Sequence, residues 1–226
     1  MVIVSIMVDN GVTLCVDTDG LLWGSILRCF PFSDKLFIAG SAATWLAERA
    51  MFGCDPAWLP GDIDVFICQP NLLFLSIVNA VIKRHFDTDS CTVVRRLSII
   101  DIKTMHQPKW SFIRCDASLN AATVVAQFDI DICRPIVMCV DGNVTVTMTT
   151  DVAANIHKRL MHCDVTKSRQ FCMQYPFSRS FCRLSKYETR GYSLLSLTFY
   201  SLMHVDFPDK ESVLHSTDFL PLCDKP

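Results

Sequence analysis

Residues 37–67, FIAGSAATWLAERAMFGCDPAWLPGDIDVFI, constrain this chain more than any other stretch. An apolar, strand-like lead ends at Gly40-Ser41 and good helix formers follow. Pro56 and Pro60 break that helix, and Asp62-Ile63-Asp64 opens a second apolar strand. On a strand, side chains at i and i+2 share a side, about 6.6 Å apart at ~3.3 Å per residue. Asp62 and Asp64 therefore project together, while Ile63 and Val65 face the other way into the core. Two like charges side by side in a half-buried place are unfavourable unless a cation neutralises them. Mg²⁺ (or Mn²⁺) meets that need, being bound by one or two carboxylates plus substrate phosphates. The competing reading of Asp62, which follows Pro60-Gly61, is a turn former at a strand end.

A clamp for two metal ions needs a further carboxylate from a neighbouring strand. Gln127-Phe128-Asp129-Ile130-Asp131-Ile132 repeats the pattern of aspartates alternating with apolar residues, inside a strand predicted over 123–133. It offers Asp129 or Asp131. The Gly40-Ser41 turn adds a place for phosphate, because glycine permits close backbone approach and amides opening a helix favour anions.

Composition narrows the class. The chain has 226 residues, 50% of them hydrophobic and 19% charged, with a net charge of −2. That is a packed globular protein, with no global signature of nucleic-acid binding and no run near the ~20 apolar residues of a membrane span. The N-terminal MVIVSIMVDN lacks a basic region, so no secretory signal is expected. The twelve cysteines include no CxxC pair, and several lie in apolar strand-like stretches. They read as reduced thiols acting as small hydrophobes in an intracellular, cytoplasmic setting.

The order of elements predicts an α/β (α+β) body with a mixed central sheet over 1–150 and a helical C-terminal lobe over 151–226. Strands are expected at 2–8, 12–16, 36–39, 62–68, 91–102, 110–115, 123–133, 137–140 and 144–148. Helices are expected at 21–29, 42–51, 71–86 (with Asn71 as N-cap), 151–162, 178–190 and 193–203, and a loose tail after 207. Between His157 and Arg190 stand eight Lys or Arg against Asp164 and Glu188. Such a basic helical stretch presents either a solvated face or a surface for phosphates, a nucleic acid or another polyanionic acceptor.

Three ordered motifs carry a resemblance. They are Trp58-Leu59-Pro60-Gly61-Asp62-Ile63-Asp64-Val65-Phe66, then Phe128-Asp129-Ile130-Asp131-Ile132-Cys133, then Arg183-Leu184-Ser185-Lys186-Tyr187-Glu188-Thr189-Arg190-Gly191-Tyr192. With Gly40-Ser41 upstream, the chain resembles the DNA polymerase beta-like nucleotidyltransferase superfamily. It is most similar to a subgroup of large viruses, phages and microbial eukaryotes. The resemblance implies a nucleotidyltransferase fold and two-metal transfer of a nucleoside monophosphate from an NTP to a hydroxyl acceptor. It implies Asp62 and Asp64 as ligands of both metals and Asp129 as the third carboxylate, with Asp131 the alternative. Gly40 and Ser41 would contact the nucleotide's phosphates, and Lys186, Tyr187 and Arg190 would steady the triphosphate, or else cap and pack the helix. The sequence does not identify the acceptor: a nucleic-acid 3′ end, a protein side chain or a small molecule all fit. The twenty residues between Ser41 and Asp62 exceed the family's common spacing. The loop over 53–61 accounts for the excess.

Two further readings stay open. A catalytically inactive protein of the same fold would serve as a scaffold or binding module. Cys15-Val16-Asp17-Thr18-Asp19-Gly20-Leu21-Leu22 resembles the first motif of haloacid dehalogenase-like phosphatases, with Asp17 and Asp19 as its carboxylates. There Leu21 replaces the usual threonine, and a turn role fits better. The histidines show no metal-ligand spacing, and no Walker lysine or dinucleotide fingerprint is present.

Overall fold

The structure, a computed structural model, describes residues 5–8, 11–21, 23–29, 32–86, 90–105, 107–140, 142–164 and 176–195. The chain divides into two compact units, residues 1–127 with 132–158, and residues 128–131 with 159–226.

The first unit is a mixed α+β body. Its strands are β1 (Ser5–Val8), β2 (Gly11–Cys15), β3 (Leu36–Ala39), β4 (Asp62–Ile67), β5 (Thr92–Arg95), β6 (Ile99–Lys103), β7 (Lys109–Arg114), β8 (Ile136–Val140) and β9 (Asn143–Thr149). Its helices are α1 (Gly24–Cys29), α2 (Ser41–Phe52), α3 (Asn71–His85), α4 (Ala121–Val125) and α5 (Thr150–His157). The strands form one sheet in the order β1-β2-β9-β8-β3-β4-β7-β6-β5. Within it β4 and β7 run parallel and the other pairings are antiparallel. A parallel pair needs a long crossover, here supplied by α3 and the β5–β6 hairpin.

Alternation of polar and apolar residues sets the register of β4, β7 and β6. Ile63 and Val65 lie level with Trp110 and Phe112, which lie level with Ile102 and Ile100. All six are buried, each contributing roughly 1.5–3 kcal/mol by leaving water. A slip of one residue would drive Asp62, Asp64, Lys109 and Asp101 into that core, so the pairing is strongly specified.

Several elements differ from the sequence-based expectation. The predicted strand over 123–133 is instead α4, a turn, a single antiparallel bridge at Ile130 and a 3₁₀ turn over Asp131–Cys133. The Asn120 side chain accepts from the Thr123 amide while Thr123 reaches back to Asn120, and this capping box turns β-branched residues into a short helix. Pro70, not Asn71, caps α3, with no side-chain hydrogen bond. The helix predicted over 151–162 stops at His157, because Arg159 takes a left-handed backbone with φ 56°.

The second unit contains the short parallel pair β10 (Leu160–Met161) and β11 (Ser193–Leu194) and the helix α6 (Pro176–Glu188). Ser193–Leu194 is thus strand where a helix over 193–203 was expected, and residues 196–203 lie outside the described residues, as does the tail after 207. Among the described residues no helix is long and apolar enough to cross a membrane.

Candidate functional site

In the first unit the fold brings Gly40, Ser41, Asp62 and Asp64 together. β3 ends beside the start of β4, with Ala39 level with Asp64. Gly40 then turns the chain into α2 with φ 79° and ψ −151°, a conformation open to glycine alone. A Cβ there would lie 3.2 Å from Asp64 Oδ2, so any side chain at this position would crowd that oxygen. The turn is tied down behind: the Gly40 amide donates to the Cys133 carbonyl at 2.9 Å, and Thr44 Oγ1 donates to the Ile132 carbonyl at 2.7 Å. Ser41 Oγ donates to Asp62 Oδ1 at 3.3 Å, joining the first residue of α2 to the first residue of β4.

The long loop between α2 and β4 is anchored rather than free. Trp45 Nε1 donates to the Trp58 carbonyl at 2.6 Å, Trp58 Nε1 donates to Glu48 Oε1 at 3.3 Å, and Arg49 pairs with Asp55. Trp45 and Trp58 therefore hold the loop that delivers Gly61-Asp62 to the sheet.

The face shared by Asp62 and Asp64 continues on the next two strands. Lys109 and Ser111 of β7 lie level with Asp62 and Asp64, and Asp101 of β6 lies level with Ser111. Ser111 Oγ donates to Asp101 Oδ1 at 2.8 Å; Lys109 Nζ stands 3.9 Å from the same oxygen, and Arg96 pairs with Oδ2. Sequence reasoning missed these residues. Their signal was the period-two alternation in Ile99-Ile100-Asp101-Ile102-Lys103 and Lys109-Trp110-Ser111-Phe112.

Asp129, Asp131, Lys186, Tyr187 and Arg190 all belong to the second unit. Asp129 is only 3% exposed and accepts a 2.6 Å hydrogen bond from Arg183 Nη2 of α6. Asp131 Oδ1 accepts the His162 amide at 2.7 Å, while the Asp131 amide donates to the His162 carbonyl at 3.0 Å. Tyr187 is buried edge-on against Tyr192, their centroids 5.8 Å apart. The Arg190 guanidinium lies 5.0 Å from the Tyr187 ring, that of Arg159 5.3 Å from the Tyr192 ring, and Lys186 is exposed. Of the basic stretch, Lys167 and Arg169 lie outside the described residues.

Asp17–Gly20, with its phosphatase-like spelling, forms a turn. The Asp19 amide donates to Asp17 Oδ1 at 2.9 Å, and Arg49 binds the carbonyls of Asp17 and Asp19. Among the described cysteines no disulfide is formed. Cys68 and Cys115 follow the paired strands β4 and β7; burial, together with the charge and hydrogen bond of Cys68, pushes the Cys115 thiol up to about 12. Burial raises Cys68 as well. Thiols so held keep their protons at neutral pH and are poor nucleophiles.

No protein-family model and no curated protein matches this chain. Solved structures do. The Thermotoga maritima CCA-adding enzyme complexed with tRNA aligns with a TM-score of 0.58 at 10% identity, covering 84% of this chain and 44% of that one. A CCA-adding enzyme in complex with CTP aligns with a TM-score of 0.55 at 11% identity, covering 80% of this chain and 42% of that one. This chain thus spans less than half the length of either structure. At such identities the likeness concerns fold alone. The fold resembles that of these two CCA-adding enzymes. Among the described residues no three His, Cys, Asp or Glu side chains form a group ready to hold a metal ion.

Proposed function

We propose that this chain is a nucleotidyltransferase that moves a nucleoside monophosphate from an NTP to a hydroxyl acceptor and releases pyrophosphate. The observation that carries the reading is the joining of the glycine-serine helix start to the Asp62–Asp64 strand, with Ser41 bonded to Asp62 and Gly40 packed without a side chain beside Asp64. The donor set there is all oxygen. Two carboxylates suit Mg²⁺ or Mn²⁺, which takes its remaining ligands from substrate phosphates and water. Bound at Asp62 and Asp64, such a cation would neutralise charge developing on the transferred phosphoryl group.

The chain's own residues divide the work. Amides at the start of α2 receive phosphate oxygens, and Ser41 holds the Asp62 carboxylate in orientation. In the transfer, the acceptor oxygen bonds to the α-phosphorus as the bond from that phosphorus to the pyrophosphate oxygen breaks. Asp129, the third carboxylate implied by the resemblance, accepts the acceptor hydroxyl's proton, with Asp131 the alternative. That role requires Asp129 to exchange its Arg183 partner. Lys186 and Arg190 steady the triphosphate beside Tyr187, and the basic stretch over 157–190 attracts a nucleic acid or a protein acceptor. ATP is among the NTP donors to be tried, and the many thiols suit a reducing, cytoplasmic setting.

A second reading has its own observation: with Asp129 bound to Arg183, a non-catalytic scaffold of this fold needs no metal. One assay separates the two. The full chain is incubated with each labelled NTP, Mg²⁺ or Mn²⁺, and RNA, DNA or protein acceptors. Transfer that is lost in Asp62→Asn and Asp64→Asn supports the enzyme. Absence of labelled product, together with no metal-dependent NTP binding in calorimetry, assigns the chain to the scaffold reading.

A further inference from the structure

Past the ends of β4 and β7 their ladder makes one more rung: the Cys115 amide donates to the Ile67 carbonyl at 2.9 Å. Ile67 is level with Arg114, so the next residues, Cys68 and Cys115, stand level on neighbouring parallel strands. Their thiols are hydrogen-bonded to each other. Cys68 is buried, whereas Cys115 is half-buried and lines an open cavity of about 440 Å³ at the start of α3. All of these residues lie in the first unit. We propose that the pair is a modification site, at which a small disulfide of the glutathione type thiolates Cys115 and leaves a Cys68–Cys115 disulfide.

The spacing suits the bridge. Neighbouring strands lie about 4.7–4.9 Å apart, and bridged cysteines hold their Cα atoms ~4.4–6.8 Å apart. Cys115 opens to the cavity and so reacts first, while Cys68, in contact behind it, resolves the mixed disulfide. The cavity wall carries both signs of charge, Arg114 and Asp116, as suits a zwitterionic peptide thiol. Among the described residues no third His, Cys, Asp or Glu joins the two thiols to hold a metal ion.

In the first step Cys115 gives up its proton and its sulfur bonds to one sulfur of glutathione disulfide. The bond between the two glutathione sulfurs breaks, and the released thiolate takes up a proton. In the second step the deprotonated Cys68 sulfur bonds to Cys115 Sγ, and the second glutathione leaves as its thiol. Two cysteine thiols are thus oxidised and one glutathione disulfide is reduced to two thiols. Attack requires the thiolate, and burial, with the charge and hydrogen bond of Cys68, pushes the Cys115 thiol up to about 12. Below that value the thiol keeps its proton, so exchange is slow at neutral pH and quickens as pH rises. The charged groups near the pair are Lys35, Asp34 and Asp116, with Arg114 on the cavity wall. A disulfide is strongly oxidising where its reduced form is stabilised as thiolate; nothing stabilises one here, so the bridge persists once formed.

The competing account is that the two thiols are only small apolar fillers at the strand ends. To separate the two, the full chain is incubated with glutathione disulfide, quenched in acid and digested without reduction, and its cysteine peptides are mapped by mass spectrometry. The parent should yield peptides linked through Cys68 and Cys115, at an initial rate that rises about tenfold from pH ~7 to pH ~8 with the thiolate fraction. Cys68→Ala should stop at a mixed disulfide of Cys115 with glutathione, and Cys115→Ser should leave Cys68 unmodified. Exposed Cys54 is the internal control, since it takes up glutathione under either account. A parent chain that is glutathionylated at Cys54 while Cys68 and Cys115 stay reduced overturns the inference. So does a mixed disulfide at Cys115 that Cys68 never resolves. If a variant fails to fold, the parent's peptide map decides alone. Neither result bears on the nucleotidyltransferase reading, which uses other residues.

Discussion

At the residue scale, Gly40 shows how one position can serve backbone and chemistry together. Its φ of 79° with ψ −151° is closed to residues with a side chain, and a Cβ would reach within 3.2 Å of Asp64 Oδ2. Gly40→Ala should therefore destabilise the fold by about 1–3 kcal/mol, the cost of such backbone strain, measurable by urea unfolding. On the proposed reading it should also weaken Mn²⁺ binding, because the new methyl group would crowd Asp64 Oδ2, a proposed ligand oxygen. A loss of stability with parent-like Mn²⁺ affinity would show that the glycine serves the turn alone. Ser41 differs in kind, since its bond to Asp62 is a 3.3 Å side-chain contact that any small hydroxyl residue could make.

At the scale of elements, the segment carrying Asp129 and Asp131 teaches the most. Alternating aspartates in an apolar stretch suggested a strand whose carboxylates share a face. The segment instead makes one bridge, Ile130 with Cys163, and its two carboxylates are engaged by Arg183 and by the His162 amide. A period of two is produced equally by a strand and by an extended piece of a few residues whose polar groups bond locally. The partners that separate those cases lie at 162–164 and 183, too distant in sequence for a pattern to reach. The Arg183–Asp129 pair predicts that Arg183→Gln, by taking the charged partner from a buried carboxylate, costs about 1–3 kcal/mol. Hydrogen exchange of the α6 amides should speed up accordingly. Unchanged exchange would mean that Tyr187 and the aromatic packing hold α6 without the ion pair.

For the molecule as a whole, the parallel pairing of β4 with β7 places Lys109, Ser111 and Asp101 on the face of Asp62 and Asp64 while burying Trp110 and Phe112 behind them. Trp110 is fully buried at the centre of this packing, and its indole N–H has no hydrogen-bond partner among the described residues. Its contribution is therefore one of volume. Trp110→Ala should cost about 3–5 kcal/mol in chemical denaturation, as large-to-small core changes do, whereas Trp110→Phe should cost less than half of that. A Trp110→Phe loss as large as that of Trp110→Ala would assign the indole N–H a role that packing does not explain.

Local physics settled much of this protein. The Gly40-Ser41 start of a helix, the breakers Pro56 and Pro60, the Asp62–Asp64 strand and the β8–β9 hairpin follow from propensity, turn chemistry and hydrophobic period, which act over a few neighbouring residues. So does the adjacency of Asp62 and Asp64, because an i, i+2 pair on a strand has no alternative. The tertiary structure decided which distant side chains meet. Register across three strands set Ser111 and Asp101 in line with Asp64, and burial bound Asp129 to Arg183. Those outcomes depend on contacts between residues tens of positions apart, and on the cost of leaving a buried charge without a partner.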